Sequence, residues 1–109
     1  MRTPEGKVKD KVKEFLHSRK VQSLTHPIED AVGFYWMPVV GGMGSPFLDI
    51  VGCYKGKFFA IETKAFGQQP TSRQRVIFSL VEKAGGDWFV IDTEDFTAHR
   101  RIVTEFFSG

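Results

Sequence analysis

The stretch Leu48 to Ala65, LDIVGCYKGKFFAIETKA, decides the fold. Two arms rich in β-branched and aromatic residues flank a Lys-Gly pair, which is the pattern of a β-hairpin. With Lys55-Gly56 as the two-residue turn, Tyr54 faces Lys57. Carried back along the arms, that register sets Asp49 opposite Glu62, with Cβ atoms about 5 Å apart. Side chains alternate between faces, so Lys64 joins Glu62 and Asp49, while Val51, Cys53, Phe58 and Ala60 continue that face as apolar packing. Like charges opposite each other destabilise a strand pair. Two readings follow. The hairpin end is either solvated, with the carboxylates splayed into water, or built around a divalent cation, since hard oxygen ligands suit Mg²⁺ or Mn²⁺.

The chain's 109 residues suit one domain, 1–109, with a single core. Eleven Phe supply bulky core or interface material, and a net charge of +2 does not by itself mark a nucleic-acid binder. What counts is where the basic residues sit. A single cysteine, Cys53, excludes an internal disulfide and a cysteine-based zinc site, and it fits a reducing interior. Met1 leads into a polar, charged segment without the pattern of a signal peptide, and no apolar run approaches membrane-spanning length. The expectation is a soluble cytoplasmic protein without a membrane partner.

Working outward, Thr3-Pro4-Glu5 reads as a helix start, with Thr3 as N-cap and Pro4 at the first helical position. Val8, Val12, Phe15 and Leu16 then make the apolar stripe of an amphipathic helix to about Arg19. Glu5 falls on that stripe, either as a first-turn acid complementing the helix dipole or as a carboxylate aimed at the hairpin's site. Lys7, Lys9, Lys11, Lys13, Arg19 and Lys20 spread around the remaining surface. Val21 to Ala31 has no clear period and reads as loop or turn. Gly33 to Val40 is apolar and extended, with Pro38 arguing against a central, fully paired strand. The glycine-rich run from Gly41 through Gly44 and Ser45 to Pro46 allows close backbone approach, to a phosphate backbone or in a tight turn. It lacks a Walker-type ending.

Beyond the hairpin, Thr71 to Ala84 is predicted as a second helix with Val76, Ile77, Leu80, Val81 and Ala84 inward, ended by Gly85-Gly86. Gln74 projects from the inward side of its first turn, and Thr71-x-x-Gln74 also fits a capping box. Trp88 to Ile91 is a short strand. A last helix to about Phe107 turns Ala98, Ile102, Val103, Phe106 and Phe107 inward. His17, His26 and His99 lack metal-ligand spacing and read as surface or core residues. The order helix, strand, hairpin, helix, strand, helix predicts an α+β fold, a small mixed sheet with a central hairpin flanked by helices.

Asp49 followed after a strand-length gap by Glu62-Thr63-Lys64 resembles the signature of the PD-(D/E)XK nuclease superfamily. Glu5 on an N-terminal helix, the Gly-rich loop before Asp49, and the helix opening Thr71-Ser72-Arg73-Gln74 and closing on Ala84-Gly85-Gly86 extend the likeness. Together they resemble the VRR-NUC (virus-type replication-repair nuclease) family as a stand-alone domain, over roughly Pro4 to Asp92. In that family Pro usually directly precedes the Asp. Here Pro46 is followed by Phe47-Leu48-Asp49, which puts the approach loop and its substrate contacts in question.

The resemblance implies a restriction-endonuclease-like core. It also implies a metal-dependent, structure-selective DNA endonuclease that resolves Holliday junctions as a homodimer, in a virus-encoded or mobile-element setting. Asp49 and Glu62 would bind Mg²⁺ or Mn²⁺ with the carbonyl near Thr63. Lys64 would be the signature lysine, Glu5 would hold a metal-bound water or a second ion, and Gln74 would stand beside the site. Lys7, Lys11, Lys55, Lys57, Arg73 and Arg75 could track the DNA backbone, or simply form solvated faces. Phe34-Tyr35-Trp36 and Phe106-Phe107 are candidates for the dimer interface or for core. Two other readings stand beside this one: a restriction-like or nicking nuclease reading duplex or ends, and a non-catalytic nucleic-acid-binding module.

Overall fold

The computed structural model describes residues 3–38, 47–94 and 100–108. In chain order these form α1 (Pro4–Ser18), β1 (Val21–Gln22), β2 (Gly33–Trp36), β3 (Ile50–Tyr54), β4 (Lys57–Thr63), α2 (Ser72–Lys83), β5 (Asp87–Ile91) and α3 (Arg100–Phe106). The strands make one mixed five-stranded sheet in the order β1-β2-β3-β4-β5. The outer pairs β1–β2 and β4–β5 are parallel, whereas β2–β3 and β3–β4 are antiparallel. The fold is α+β, as the sequence predicts. No helix among the described residues is long and apolar enough to cross a membrane.

The hairpin register is the expected one, with Tyr54 paired to Lys57 and Ile50 to Ile61. Its turn takes positive φ at both central residues, 49° at Lys55 and 84° at Gly56. Two left-handed residues in a row define the type I′ turn, whose twist matches the strands it joins. Only one of them is glycine, so Lys55 carries the steric cost of that conformation.

Alternation along the strands sends one set of residues to each face. Ile50, Tyr54, Phe59, Ile61, Phe89 and Ile91 pack with Val8, Val12 and Leu16 of α1 and Val103 and Phe107 near the C-terminus. On the opposite face Leu48, Val51 and Ala60 pack against Phe78 of α2. The sheet therefore lies between α1 and α3 on one side and α2 on the other. Cys53, expected inside, is exposed.

Several expectations need correction. Val21–Gln22 pairs with Gly33 and Phe34, so the segment read as loop begins with a strand too short to show a period. In α2 the buried residues are Phe78 and Val81, with Ile77 partly buried, whereas Val76 and Leu80 are 58% and 59% exposed and Ala84 is also exposed. Phe78 wins the inward position by stacking on Trp88 with ring centroids 4.3 Å apart. Phe107 is buried and Phe106 packs against the core, which removes that pair as an exposed interface. His17 and His26, far apart in sequence, stack face to face at 3.7 Å, and His17 Nε2 lies 2.8 Å from the Tyr35 hydroxyl. Burial first, then His26 and Lys13, hold the His17 imidazole below its ordinary pKa. Val39 to Pro46, Ala98 and His99 lie outside the described residues, and with them the expectations for Gly44 and Ser45.

The ends of α2 follow from local chemistry. Thr71 Oγ1 accepts from the Gln74 N–H and Gln74 Oε1 accepts from the Thr71 N–H, a complete capping box. At the other end Gly85, with φ of 89°, donates to the Glu82 carbonyl and Gly86 to that of Val81. These two bonds are the Schellman closure.

Gly52 sits where β2 and β3 approach most closely. A Cβ there would meet the Phe34 carbonyl oxygen, and would lie 2.9 Å from both Tyr35 Cα and Phe59 Cζ. Two of these neighbours are backbone and cannot swing away. Gly52→Ala is expected to lower stability by about 2 kcal/mol or more. Urea unfolding measures it, and an unchanged midpoint would contradict the packing described here.

Candidate metal centre

The hairpin's open end, the C-terminal ends of β4 and β5, and the first turn of α1 meet at one edge of the sheet. There a carboxylate oxygen from each of Glu5, Asp49 and Glu62 lies within 4.8 Å of the others. The strand ladder stops at Ile50–Ile61, one residue short of the facing acids. Beyond it side chains take over the pairing. The Asp49 N–H donates to Glu62 Oε1 at 3.2 Å, and Thr63 donates twice to Asp49 Oδ2, from its N–H at 2.9 Å and its hydroxyl at 2.7 Å. The two carboxylates are thus held in place and not splayed into solvent.

Gln74 performs both of the roles open to it. While its carbonyl oxygen caps α2, its Nε2 donates to Glu62 Oε2 at 2.7 Å. The cap fixes the side chain and with it the orientation in which the amide nitrogen meets Glu62. Lys64 places its ammonium 3.4 Å from the same Glu62 oxygen. Thr63 is fully buried, and its hydroxyl bond to Asp49 was not expected from sequence. Lys9 is a further addition, with Nζ 3.7 Å from Asp49 Oδ1. The sequence places it among the lysines of the helix's remaining surface. Its position four residues after Glu5 on one helical face was the available signal.

The expected DNA-tracking residues divide. Arg73 and Arg75 flank Gln74 in the first turn of α2, and Lys7 lines a cleft of about 320 Å³ with Phe66 and Asp92 beside the site. Lys11 is about one turn further along α1 than Lys7 and pairs with Glu14 at 3.4 Å. Lys55 and Lys57 sit at the turn end of the hairpin, roughly 20 Å from Asp49 at strand rise. They are outside reach of the carboxylates.

Glu62 is only 3% exposed. Burial pushes its carboxyl above the ordinary 4.5, the Asp49 charge pushes it further in the same direction, and Lys64 pulls back only in part. Three carboxylates against the ammoniums of Lys9 and Lys64 leave the cluster acidic. Two oxygen-donor carboxylates on adjacent strand ends, a third opposite, and a buried negative charge still short of compensation fit a hard divalent cation. No protein-family model, curated protein or solved structure matches the chain.

A carboxyl whose pKa is raised by folding favours the folded state below its unfolded value of 4.5 and loses that contribution as pH climbs through the raised value. In chelator, the urea midpoint of wild type should therefore fall relative to Glu62→Gln as pH rises from 4.5 to neutrality. A constant difference between the two across that range would contradict the electrostatic account of Glu62.

Proposed function

We propose that the chain is a Mg²⁺- or Mn²⁺-dependent DNA endonuclease of the VRR-NUC type that cleaves branched substrates, Holliday junctions in particular, as a homodimer. The observation that carries the proposal is the convergence of Glu5, Asp49 and buried Glu62 beside Lys64, in the order and spacing that resemble that family. A bound Mg²⁺ or Mn²⁺ supplies charge neutralisation at the phosphoryl oxygens and a more acidic water. Asp49 and Glu62 would hold it, together with the Thr63 carbonyl.

The remaining roles belong to this chain's own groups. Thr63 fixes the Asp49 carboxylate through two bonds to one oxygen, leaving Oδ1 for a ligand or for Lys9. Gln74 holds Glu62 Oε2 and so limits rotation of a group whose placement decides the site's geometry. The Lys64 ammonium can bind a non-bridging phosphate oxygen or steady the charge that develops as the phosphodiester is attacked. Glu5, from a separate element, can accept a hydrogen bond from the attacking water and orient it. Lys7, Arg73 and Arg75 lie where a phosphate backbone entering the site could be gripped.

Dimerisation would give two sites of matching polarity for two symmetric strands. The outward Val76 and Leu80 of α2 are exposed apolar side chains of the kind such an interface would bury.

The test is Mn²⁺- and Mg²⁺-dependent cleavage of a synthetic four-way junction, a matched duplex and a single strand. Symmetric nicking of the junction is the expected result. Glu62→Ala and Lys64→Ala should each lower the rate by about 100-fold or more, and Gln74→Ala by about 10- to 100-fold. Equal cutting of duplex favours a restriction-like nuclease. Binding without cutting favours a non-catalytic module, and full activity of Glu62→Ala overturns the site.

A further inference from the structure

Asp49 and Glu62 present four carboxylate oxygens, and their partners divide unevenly. Asp49 Oδ2 accepts twice from Thr63, Glu62 Oε2 meets both Gln74 and Lys64, and Glu62 Oε1 accepts from the Asp49 N–H. Asp49 Oδ1 faces Lys9 instead, with Nζ 3.7 Å away. At that distance the two form an ion pair without a hydrogen bond, the loosest hold on any of the four oxygens. Oδ1 is therefore the oxygen an incoming cation takes at least cost, and the Lys9 ammonium stands on it.

Two features separate this contact from an ordinary surface pair. The side chains of Lys9 and Asp49 are only 27% and 23% exposed, whereas those of Lys11 and Glu14 are 49% and 67% exposed. Solvated ion pairs are worth little, and shelter on both sides removes much of that screening. The second feature is charge. With all three carboxylates ionised, Lys9 and Lys64 leave one negative charge uncompensated. A divalent cation and Lys64 together balance the three, and the Lys9 ammonium becomes surplus. Beside the ion it is repelled unless an anion takes it up. Val8, Val12 and Leu16 anchor α1 in the core, so the helix stays in place and the flexible four-carbon stem of Lys9 makes the move.

We propose that Lys9 occupies the cation's place on Asp49 Oδ1 in the metal-free protein, and that the ion, on binding, releases its ammonium to a phosphodiester of the substrate. The exchange needs only the metal centre, and the release rests on the nuclease reading of that centre. A phosphodiester carries the one negative charge that the surplus ammonium matches, and its oxygens accept a charge-assisted hydrogen bond. Lys9 thereby couples the two ligands. Without metal it is tied to Asp49, and with metal it faces the substrate, so each ligand raises the affinity for the other.

The exchange is tested by Mn²⁺ binding, followed by electron paramagnetic resonance without substrate. Lys9→Met should bind Mn²⁺ about tenfold more tightly than wild type, and Asp49→Asn should lose the tightly bound ion. Lys11→Met, which removes a charge from the same helix away from the carboxylates, should change Mn²⁺ affinity by about twofold or less. In chelator the urea midpoint of Lys9→Met should fall below that of wild type, and saturating Mn²⁺ should close the gap. For the release, affinity for a four-way junction is taken from stopped-flow association and dissociation rates, ahead of cleavage. Lys9→Met should weaken it about tenfold in Mn²⁺ and about twofold or less in chelator, where Asp49 holds the ammonium. Unchanged Mn²⁺ affinity in Lys9→Met, equal tightening in Lys11→Met, or Mn²⁺ binding that Asp49→Asn leaves intact would each overturn the exchange. An equal loss of junction affinity with and without Mn²⁺ would overturn the release. A blank cleavage assay alongside tightened Mn²⁺ binding in Lys9→Met would reject the nuclease reading and leave the exchange standing.

Discussion

A buried carboxylate is the constraint on which the rest of this molecule depends. Glu62, next to last in β4, has almost no access to water, and it is tied by the Asp49 N–H on one oxygen and by Gln74 and Lys64 on the other. Burying an ionised carboxylate is expensive unless hydrogen bonds and opposite charge offset it. Its partners come from three separate places: the residue just before β3, the residue just after β4, and the first turn of α2. Their convergence requires the hairpin register, the α2 cap and the β4–α2–β5 crossover to form together.

The sheet's topology explains why the site lies at one edge. β3 runs antiparallel to both neighbours, so its start meets the C-terminal ends of β2 and β4, and β5, parallel to β4, ends there too. α1 covers one face and α2 the other, and their first turns supply Glu5 and Gln74 respectively. Two layers thus contribute to a site that neither could build alone. A facing pair of acids, unfavourable as a strand pairing, becomes affordable only in this setting.

Much of this was legible in sequence because local rules and tertiary structure agree. Lys55-Gly56 states its turn type, and that turn fixes the register to the last pair. Gln74 was ambiguous between cap and site because it has two polar atoms and uses one for each. The failures have equally physical causes. Val76, Leu80 and Ala84 follow one helical stripe and Ile77, Phe78 and Val81 another, and only the stack on Trp88 decides between them. A two-residue strand carries no periodicity. Lys9 looked like one solvated lysine among several, since the acid it pairs with lies 40 positions away in the chain. Lys55 and Lys57 were close to the signature in sequence but sit at the wrong end of the hairpin.

The central claim is that Asp49 and Glu62, with Glu5 opposite, form one divalent-cation site. Anomalous diffraction from crystals soaked in Mn²⁺ tests it most directly. The account predicts a peak at the open end of the hairpin, about 2.0–2.2 Å from oxygens of both Asp49 and Glu62. Mn²⁺ bound only at surface carboxylates elsewhere, with Lys9 and Lys64 still closed on Asp49 and Glu62, would contradict it.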